Sequence, residues 1–280
     1  MRAPLLATVL LLSAGVVSAQ SIRPFSTFRQ WHGETRLDAR LEYAAGALRV
    51  APGRPDDLYR MDVSYDEDRF VPVSDFEASK DAVTLGVAAA GGGGVRVVSR
   101  NQLAQMASVA FSPRVDMSLD VELGAVDGDL ELGGLRVTDL RLSAGASRAN
   151  VRFSKANGVR CRAAELKAGA AELSVVGLGN SRCDRIGFEG GVGKVTLDFG
   201  GDWTSSSSVS VNMALGELTL RLPRQIGVRM TLDKFLTSFD PQGLERRGTS
   251  YLSPGYDKAT RHLDIDISTA AGAVKVEWIH

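Results

Sequence analysis

A small-residue pair that recurs at a nearly constant spacing is the feature of this sequence that most restricts its fold. Five successive pairs lie 21, 24, 22 and 23 residues apart. They are Gly124-Ala125, Gly145-Ala146, Gly169-Ala170, Gly191-Val192 and Ala214-Leu215. Alternating apolar and polar residues flank each pair, so each repeat reads as strand, tight turn, strand and loop. A unit of roughly 22 residues cannot bury its own apolar face, and such a period indicates stacked solenoid coils.

The alternation also predicts which side of each strand faces the core. The inward residues are expected to be Leu119, Val121, Leu130, Leu132, Leu140, Leu142, Val151, Phe153, Leu173, Val175, Val195, Leu197, Val211, Leu218 and Leu220. Alternation alone also fits a β-sandwich, but a steady spacing with the glycine in phase favours the solenoid. We therefore predict an all-β fold, with a β-solenoid of roughly 22-residue coils over residues 116–280.

The earlier part of the chain carries a related pattern. Residues 34–115 contain alternating strands bounded by turn residues and are predicted to form a β-rich N-terminal domain. The segments LDARLEYAAGALRV (37–50) and LDIDISTAAGAVKV (263–276) agree at seven of fourteen positions. The same coil pattern therefore lies near both ends of the chain.

Four segments depart from the pattern. Residues 20–33 contain three aromatic residues without a clean period, and we expect an irregular lead-in. The tract Gly91–Gly94 predicts a flexible loop, because glycine is entropically costly inside a strand or helix. Residues Asn101–Ala110 predict one short helix. The repeat stops at Pro223, and residues 224–260 are expected to form a long excursion from the coils.

The first nineteen residues have the composition of an export signal. Arg2 precedes an apolar stretch from Leu5 to Val17, and Val17-Ser18-Ala19 supplies the small residues that a signal peptidase requires. Thirteen apolar residues are short for a membrane span, which needs about 20. We expect cleavage after Ala19 and an extracytoplasmic protein, periplasmic or secreted, without stable membrane insertion. An uncleaved anchor is the alternative.

The charge balance argues against nucleic acid as a partner. Lys and Arg together number 33, and so do Asp and Glu. Binding to nucleic acid requires a basic field that displaces counterions, and no segment of this chain supplies one. Opposite charges instead alternate along the predicted strands, which is typical of a solvated face.

Two cysteines lie one repeat length apart. Cys161 and Cys183 are separated by 22 residues, and each lies eight residues before the glycine of a recurring small-residue pair. Stacked strands lie about 4.8 Å apart, within the Cα separation of roughly 4.4–6.8 Å that a disulfide tolerates. An exported protein meets conditions in which disulfides persist. We predict a structural disulfide; two buried thiols or a redox pair are the alternatives.

Residues with catalytic or metal-binding chemistry are sparse. The histidines His32, His262 and His280 form no His-x-x-x-His pair, and the sequence has no Cys-x-x-Cys pair. Gly177–Ser181 faintly resembles a phosphate-binding loop, but strands surround it and we predict a turn. We therefore predict no catalytic, cofactor-binding or metal site and no enzymatic activity.

Paired carboxylates are the remaining chemical candidates. Asp264 and Asp266 lie on the polar side of the last strand, and Asp127 and Asp129 flank Gly128. Such spacing presents two acids to one space, as glycoside cleavage or calcium binding requires. Other candidates are the turn Asp66-Glu67-Asp68 for calcium and Trp31, Trp203 and Trp278 for stacking on sugars. Exposed strands, turns and packed aromatics show the same patterns.

The C-terminal part of the chain resembles a known group of proteins. GELTLRLP (216–223), YLSPGYDKA (251–259) and LDIDISTAAGAVKV resemble the bacterial toast-rack families, which include LiaF-like cell-wall-stress proteins and adhesin-like domains. ETRLDARLEYAAGALRVAPG (34–53) is similar to the toast-rack N-terminal domain. The resemblance implies an extracytoplasmic β-solenoid without enzymatic activity. LiaF-like regulators carry several N-terminal membrane helices, whereas this chain has only a signal peptide, and the resemblance transfers no site residue.

Three functions follow as hypotheses. The first is a non-enzymatic, adhesin-like module that binds or scaffolds at the bacterial cell envelope, with an envelope protein or a cell-wall or surface component as partner. The second is a regulator of an envelope-stress response that acts through a membrane sensor. The third is an enzyme acting on polysaccharide.

Overall fold

The computed structural model describes residues 21–91 and 105–279, and almost every element in these ranges is a β-strand. The strands are β1 (Ile22–Gln30), β2 (Arg36–Pro52), β3 (Asp57–Asp66), β4 (Phe70–Glu77), β5 (Ala82–Ala89), β6 (Met106–Phe111), β7 (Asp116–Glu131), β8 (Val137–Ala144), β9 (Arg148–Arg152), β10 (Cys161–Val176), β11 (Cys183–Asp198), β12 (Ser207–Pro223), β13 (Gly227–Asp240), β14 (Glu245–Arg247), β15 (Ser250–Leu252) and β16 (His262–Ile279). The helical elements are α1 (Leu178–Ser181) and a 3₁₀ turn (Tyr256–Lys258).

Parallel stacking of the long strands builds the body of the protein. The order in space is β2, β7, then β8 with β9, then β10, β11, β12, β16 and β13. Equivalent residues of successive repeats lie side by side, as where Ala164 pairs with Ile186 and Ile186 with Val209. All fifteen residues predicted to face inward are buried. The β-solenoid prediction is confirmed.

Each long strand bends at its small-residue pair, which we call the corner. In β10 the even-numbered residues 164–168 are buried before the corner, whereas the odd-numbered residues 171–175 are buried after it. At the corner, two consecutive residues point outward, which shifts the alternation by one position. The apolar residues of both halves therefore face the same side of the strand. The two halves, the first arm and the second arm, therefore line one hydrophobic core.

Close approach between coils explains why the corner residues are small. A Cβ atom on Gly191 would lie 2.8 Å from the carbonyl oxygen of Gly169, and one on Gly145 would lie 3.1 Å from that of Gly124. A larger residue would force the neighbouring coils apart. The regular spacing of these glycines in the sequence thus reflects the packing of one coil's backbone on the next.

The N-terminal end of the stack corrects two predictions. Most of the predicted irregular lead-in, residues 20–33, is a strand, because Ile22–Gln30 form β1 and pair antiparallel with β3. The predicted helix at Asn101–Ala110 is wrong where the structure describes it, because Met106–Phe111 forms β6, parallel to β2. Alternate burial of Ala107, Val109 and Phe111 favours the strand over the local helix propensity of Ala and Met. Residues 101–104 lie outside the described ranges, as does the predicted glycine loop after Gly91.

The boundary predicted between residues 115 and 116 separates β6 from β7. The sheet continues across it, because β2 pairs with β7 from Arg36–Asp116 to Val50–Leu130. Buried residues of both parts belong to one hydrophobic cluster. The predicted signal peptide, residues 1–19, lies outside the described ranges.

The C-terminal end corrects the prediction of a long excursion at residues 224–260. This segment contains β13, a full-length coil strand that pairs parallel with β16 from Gly227–His262 to Asp240–Lys275. A short hairpin, β14 and β15, then pairs with the start of β13. β16 inserts between β12 and β13, so spatial order and sequence order differ here. The sequence does not reveal this insertion of β16, because Pro223 and a polar stretch interrupt the repeat pattern.

Candidate binding surface

Ion pairs across neighbouring strands neutralise most of the outward charges. On the second arm, Arg148 lies 4.0 Å from Asp127 on one side and 3.0 Å from Glu172 on the other. Glu217 likewise lies between Lys194, at 3.6 Å, and Lys275, at 3.1 Å. Exposed pairs of this kind each contribute little, about 0–1 kcal/mol. Their alternation across the coils supports the parallel register.

The pKa shifts on this surface follow from the same pairs. The hydrogen bond from Lys275 lowers the pKa of Glu217 below its ordinary value. The hydrogen bond to Glu172 raises the pKa of the Arg148 guanidinium. Both shifts favour the charged forms, which is the behaviour of structural ion pairs.

The two cysteines lie at the start of neighbouring coils. Cys161 pairs with Cys183 in the parallel ladder, and a disulfide joins them with a Cα separation of 4.1 Å. This is the pairing that the 22-residue spacing predicts. Both residues are buried, so the bond links β10 to β11 inside the stack. Such bonds persist in oxidising compartments outside the cytoplasm.

Most of the carboxylates predicted as chemical candidates form ion pairs with arginines of the protein. Asp264 lies 3.0 Å from Arg229 and accepts a 3.3 Å hydrogen bond from the Tyr256 hydroxyl. Asp127 and Asp129 bind different partners, Arg148 and Arg152, on the second arm. Their neighbour Gly128 is buried and faces the core. Asp266 differs from these residues, because it is exposed and forms no ion pair with the described residues.

The acidic turn proposed for calcium is held by its own neighbours. Asp66 accepts a 3.2 Å hydrogen bond from the backbone N–H of Asp68 and lies 3.6 Å from Arg69. Glu67 lies 2.6 Å from Arg23 on β1. Within residues 21–91 and 105–279, no group of three His, Cys, Asp or Glu side chains is placed to hold a metal ion.

The tryptophans are committed to packing and backbone hydrogen bonds. Trp203 is buried and donates to the carbonyl of Phe199 at 2.7 Å. Trp31 donates to the carbonyl of Glu34 at 2.8 Å, and its ring packs against the core. Trp278 donates to the carbonyl of Gln242 at 2.7 Å. Each indole nitrogen thus has a protein partner.

The remaining residues singled out from the sequence also have structural roles. His262 packs against the ring of Tyr256, with ring centroids 4.6 Å apart. The Nδ1–H of His32 donates a 2.9 Å hydrogen bond to the carbonyl of Gln30, and His280 lies outside the described residues. Gly177 is the N-cap of α1 (Leu178–Ser181), a single helical turn with a buried face, so the predicted turn is a helical one.

A recess on the first arm contains polar groups of which sequence reasoning selected only Asp266. It has a volume of about 350 Å³ and lies over β10, β11, β12 and β16. The polar side chains that line it are Arg185, Ser208, Ser210, Asp266 and Glu165. Its floor includes Gly187, where a Cβ atom would meet nothing within 4 Å. The sequence signal is faint: Gly187 has no corner role, and short serines replace the long charged residues of other coils.

Comparisons with known proteins place the chain in a family. The family model for the N-terminal domain of toast-rack proteins (DUF2154) matches residues 18–176, more than half of the 280 residues. Among proteins with curated descriptions, none matches. Helices in the described ranges are too short or too polar to cross a membrane.

Several crystal structures are similar to this chain at low sequence identity. A proposed cell adhesion protein from Clostridium sporogenes is 16% identical, with 92% of this chain and 100% of that chain covered and a TM-score of 0.49. A proposed adhesin from Bacteroides fragilis is 10% identical, with 91% and 97% covered and a TM-score of 0.42. One from Parabacteroides merdae is 9% identical, with 92% and 97% covered and a TM-score of 0.39. With the family model matched across β1 to β10 and the coil stack in place, the chain belongs to the toast-rack family.

Proposed function

We propose that the protein is exported and acts at the cell envelope as a non-enzymatic, adhesin-like binding module. The observation that carries the proposal is the first-arm surface, where parallel strands hold outward polar side chains in fixed register around the recess. A stacked sheet of this kind is stiff, so a ligand does not have to order its binding residues. The disulfide between β10 and β11 is consistent with export.

The charge arrangement supports binding rather than proton transfer. A glycoside hydrolase uses two carboxyl groups, one of which is held protonated by its surroundings. Asp264 is instead paired with Arg229 at 3.0 Å and accepts a hydrogen bond from the Tyr256 hydroxyl. The partner we propose is therefore a cell-wall or surface component, or an envelope protein, that the module holds without converting it.

Cross-linking in intact cells tests the proposal. A photoreactive benzoylphenylalanine at Asn212, which is exposed beside the recess, should capture envelope components that mass spectrometry identifies. The same probe at Asn150, exposed on β9 of the second arm, is the matched control. Equal products at both positions, or capture of cytoplasmic proteins alone, would contradict the proposal.

A second candidate function is regulation through a membrane sensor, and one observation favours it. Phe235 and Leu236, on the outermost coil strand β13, are 81% and 69% exposed. Large apolar side chains on an outer strand are typical of a protein–protein contact. The probe at Phe235 distinguishes the two functions: capture of an inner-membrane sensor there, with none at Asn212, would favour regulation.

A further inference from the structure

The strands β10, β11, β12 and β16 contain two charged side chains without an ionic partner, and both line the recess. In β10, β11, β12 and β16, the Asp, Glu, Lys and Arg residues that form cross-strand ion pairs are Arg162, Glu165, Lys167, Glu172, Asp184, Glu189, Lys194, Asp198, Glu217, Arg221, Asp264, Lys275 and Glu277. The remaining two are Arg185 and Asp266. Both contribute to the wall of the same recess.

The strand register keeps these two charges apart. Arg185 lies opposite Ser208, and Asp266 lies opposite Ser210, one further strand away. Two strand spacings and two residues along the strand place their Cα atoms about 12 Å apart, from 4.8 Å per strand and 3.3 Å per residue. The hydroxyl groups of Ser208 and Ser210 lie between them and make no hydrogen bond with the described residues.

Gly187 gives the recess its depth. The residues beside it in the same outward row are Glu165 on β10 and Ser210 on β12. A Cβ atom at Gly187 would contact nothing within 4 Å, so the absence of a side chain is not needed for packing. The recess of about 350 Å³ lies within the range of about 300–1,000 Å³ found for small-molecule sites.

We propose that this recess binds a short peptide with a free amine and a free carboxylate. The carboxylate binds Arg185, whose planar guanidinium suits bidentate recognition of carboxylates. The amine binds Asp266, and the serine hydroxyls hydrogen-bond the peptide groups between them. An extended chain spans about 3.3–3.6 Å per residue, so about three residues bridge the two charges. The inference rests on the proposed envelope-binding function and gives it a ligand class.

The separated charges favour a peptide over a neutral glycan. A glycan would use the hydroxyl groups of Ser208 and Ser210, but it has no charge for Arg185 or Asp266. Every other charged side chain of these four strands forms an ion pair within the protein, and here the ligand takes that role. A complementary zwitterion is the occupant that leaves neither side chain unpaired.

Titration of the mature protein with tri-alanine, followed by calorimetry and NMR, tests the site. Wild-type protein should bind tri-alanine with free ends about fivefold more tightly than either N-acetyl-tri-alanine or tri-alanine amide, because one exposed ionic contact is lost in each. The Asp266→Asn variant should lose its preference for the free amine and keep its preference for the free carboxylate. Arg185→Gln should lose the preference for the free carboxylate alone. Arg148→Gln, outside the recess, should behave as wild type.

The outcomes separate the ligand from the general function. Failure to bind tri-alanine at millimolar concentration, equal affinity for free and capped peptides, or tighter binding of chitotriose would each overturn the peptide site. Thermal unfolding of each variant shows whether it is folded; both side chains are exposed, so we expect no change. Envelope cross-links from Asn212 that persist after a failed titration would leave the proposed function intact and exclude this ligand.

Discussion

A methyl group at Gly216, just after the corner of β12, should destabilise the whole stack, whereas a methyl group at Gly187, on the first arm of the preceding coil, should not. Gly193, Gly216 and Gly272 lie side by side on β11, β12 and β16. Gly216 has a φ of +138°, and a Cβ atom there would overlap the carbonyl oxygen of Gly193. The carbonyl belongs to the backbone of a paired strand, so it cannot move aside without breaking the ladder.

The magnitude follows from two costs and one gain. Holding a non-glycine residue in this backbone region costs about 1–3 kcal/mol. Crowding in a packed interior adds roughly 1–3 kcal/mol. Alanine has less conformational freedom than glycine in the unfolded chain, which offsets this loss of stability by about 0.4–1 kcal/mol. We therefore expect Gly216→Ala to lower the free energy of unfolding by about 1–5 kcal/mol, and to lower Tm by roughly 2 °C or more.

Gly187→Ala is the matched control, because its Cβ atom meets nothing within 4 Å. It should be neutral or stabilise the protein by up to about 1 kcal/mol. Urea unfolding monitored by circular dichroism, with thermal scans in parallel, measures both variants. Equal losses for Gly216→Ala and Gly187→Ala, or no loss for Gly216→Ala, would refute the steric account of the corner.

Three further perturbations test other parts of the structure. Replacing Cys161 and Cys183 with alanine should cost about 3 kcal/mol in urea unfolding, because the closed 22-residue loop no longer restricts the unfolded chain; an unchanged midpoint would contradict this. Deleting residues 20–33 removes β1, exposes the edge of β3 and should produce aggregates in size-exclusion chromatography; a monomer would contradict it. The lowered pKa of Glu217 stabilises the fold above its ordinary pKa, and this contribution is lost as pH falls through the folded value. Glu217→Gln should therefore flatten the acid side of the stability profile, and an unaltered profile would exclude the effect.

The repeat was predictable because it records contacts that every coil makes. Alternating burial follows from the two-residue period of a strand, and the corner glycines follow from backbone contact between coils. The cysteine pairing followed from the same register. These features depend on local geometry repeated from one coil to the next, so a single sequence contains them several times.

The ends of the stack were not predictable in the same way. β1 is only partly buried, on the face of Phe25, Thr27 and Arg29, and two of these residues are polar, so its sequence lacks the apolar–polar alternation that marks a strand. β6 is short, and its Ala and Met residues favour a helix until β2 supplies a partner. β13 carries exposed Phe235 and Leu236 at its corner in place of small residues. Each of these strands is defined by what it pairs with.

The recess was missed for a related reason. Arg185, Ser208 and Asp266 are ordinary outward residues on alternating strands, and no motif links them. What distinguishes them is the lack of an ionic partner on the neighbouring strand, which requires the register of β11, β12 and β16. Sequence alone selected Asp266 with Asp264 as a possible acid pair, but Arg229 engages Asp264.

The likeness between the first and last coils shows where functional information lies in such a stack. β2 and β16 do not touch, yet both carry the corner sequence Ala-Ala-Gly-Ala. Gly46 and Gly272 occupy its third position with φ values of +111° and +131°, each against a backbone carbonyl oxygen of a neighbouring coil, that of Gln105 or Gly216. Identical sterics at both corners account for the identity without contact or shared function. Outward positions are free of that constraint, because solvent accepts most polar residues there. A departure from the outward pattern that no packing contact requires, as at Gly187, is therefore the place where selection for binding leaves a trace.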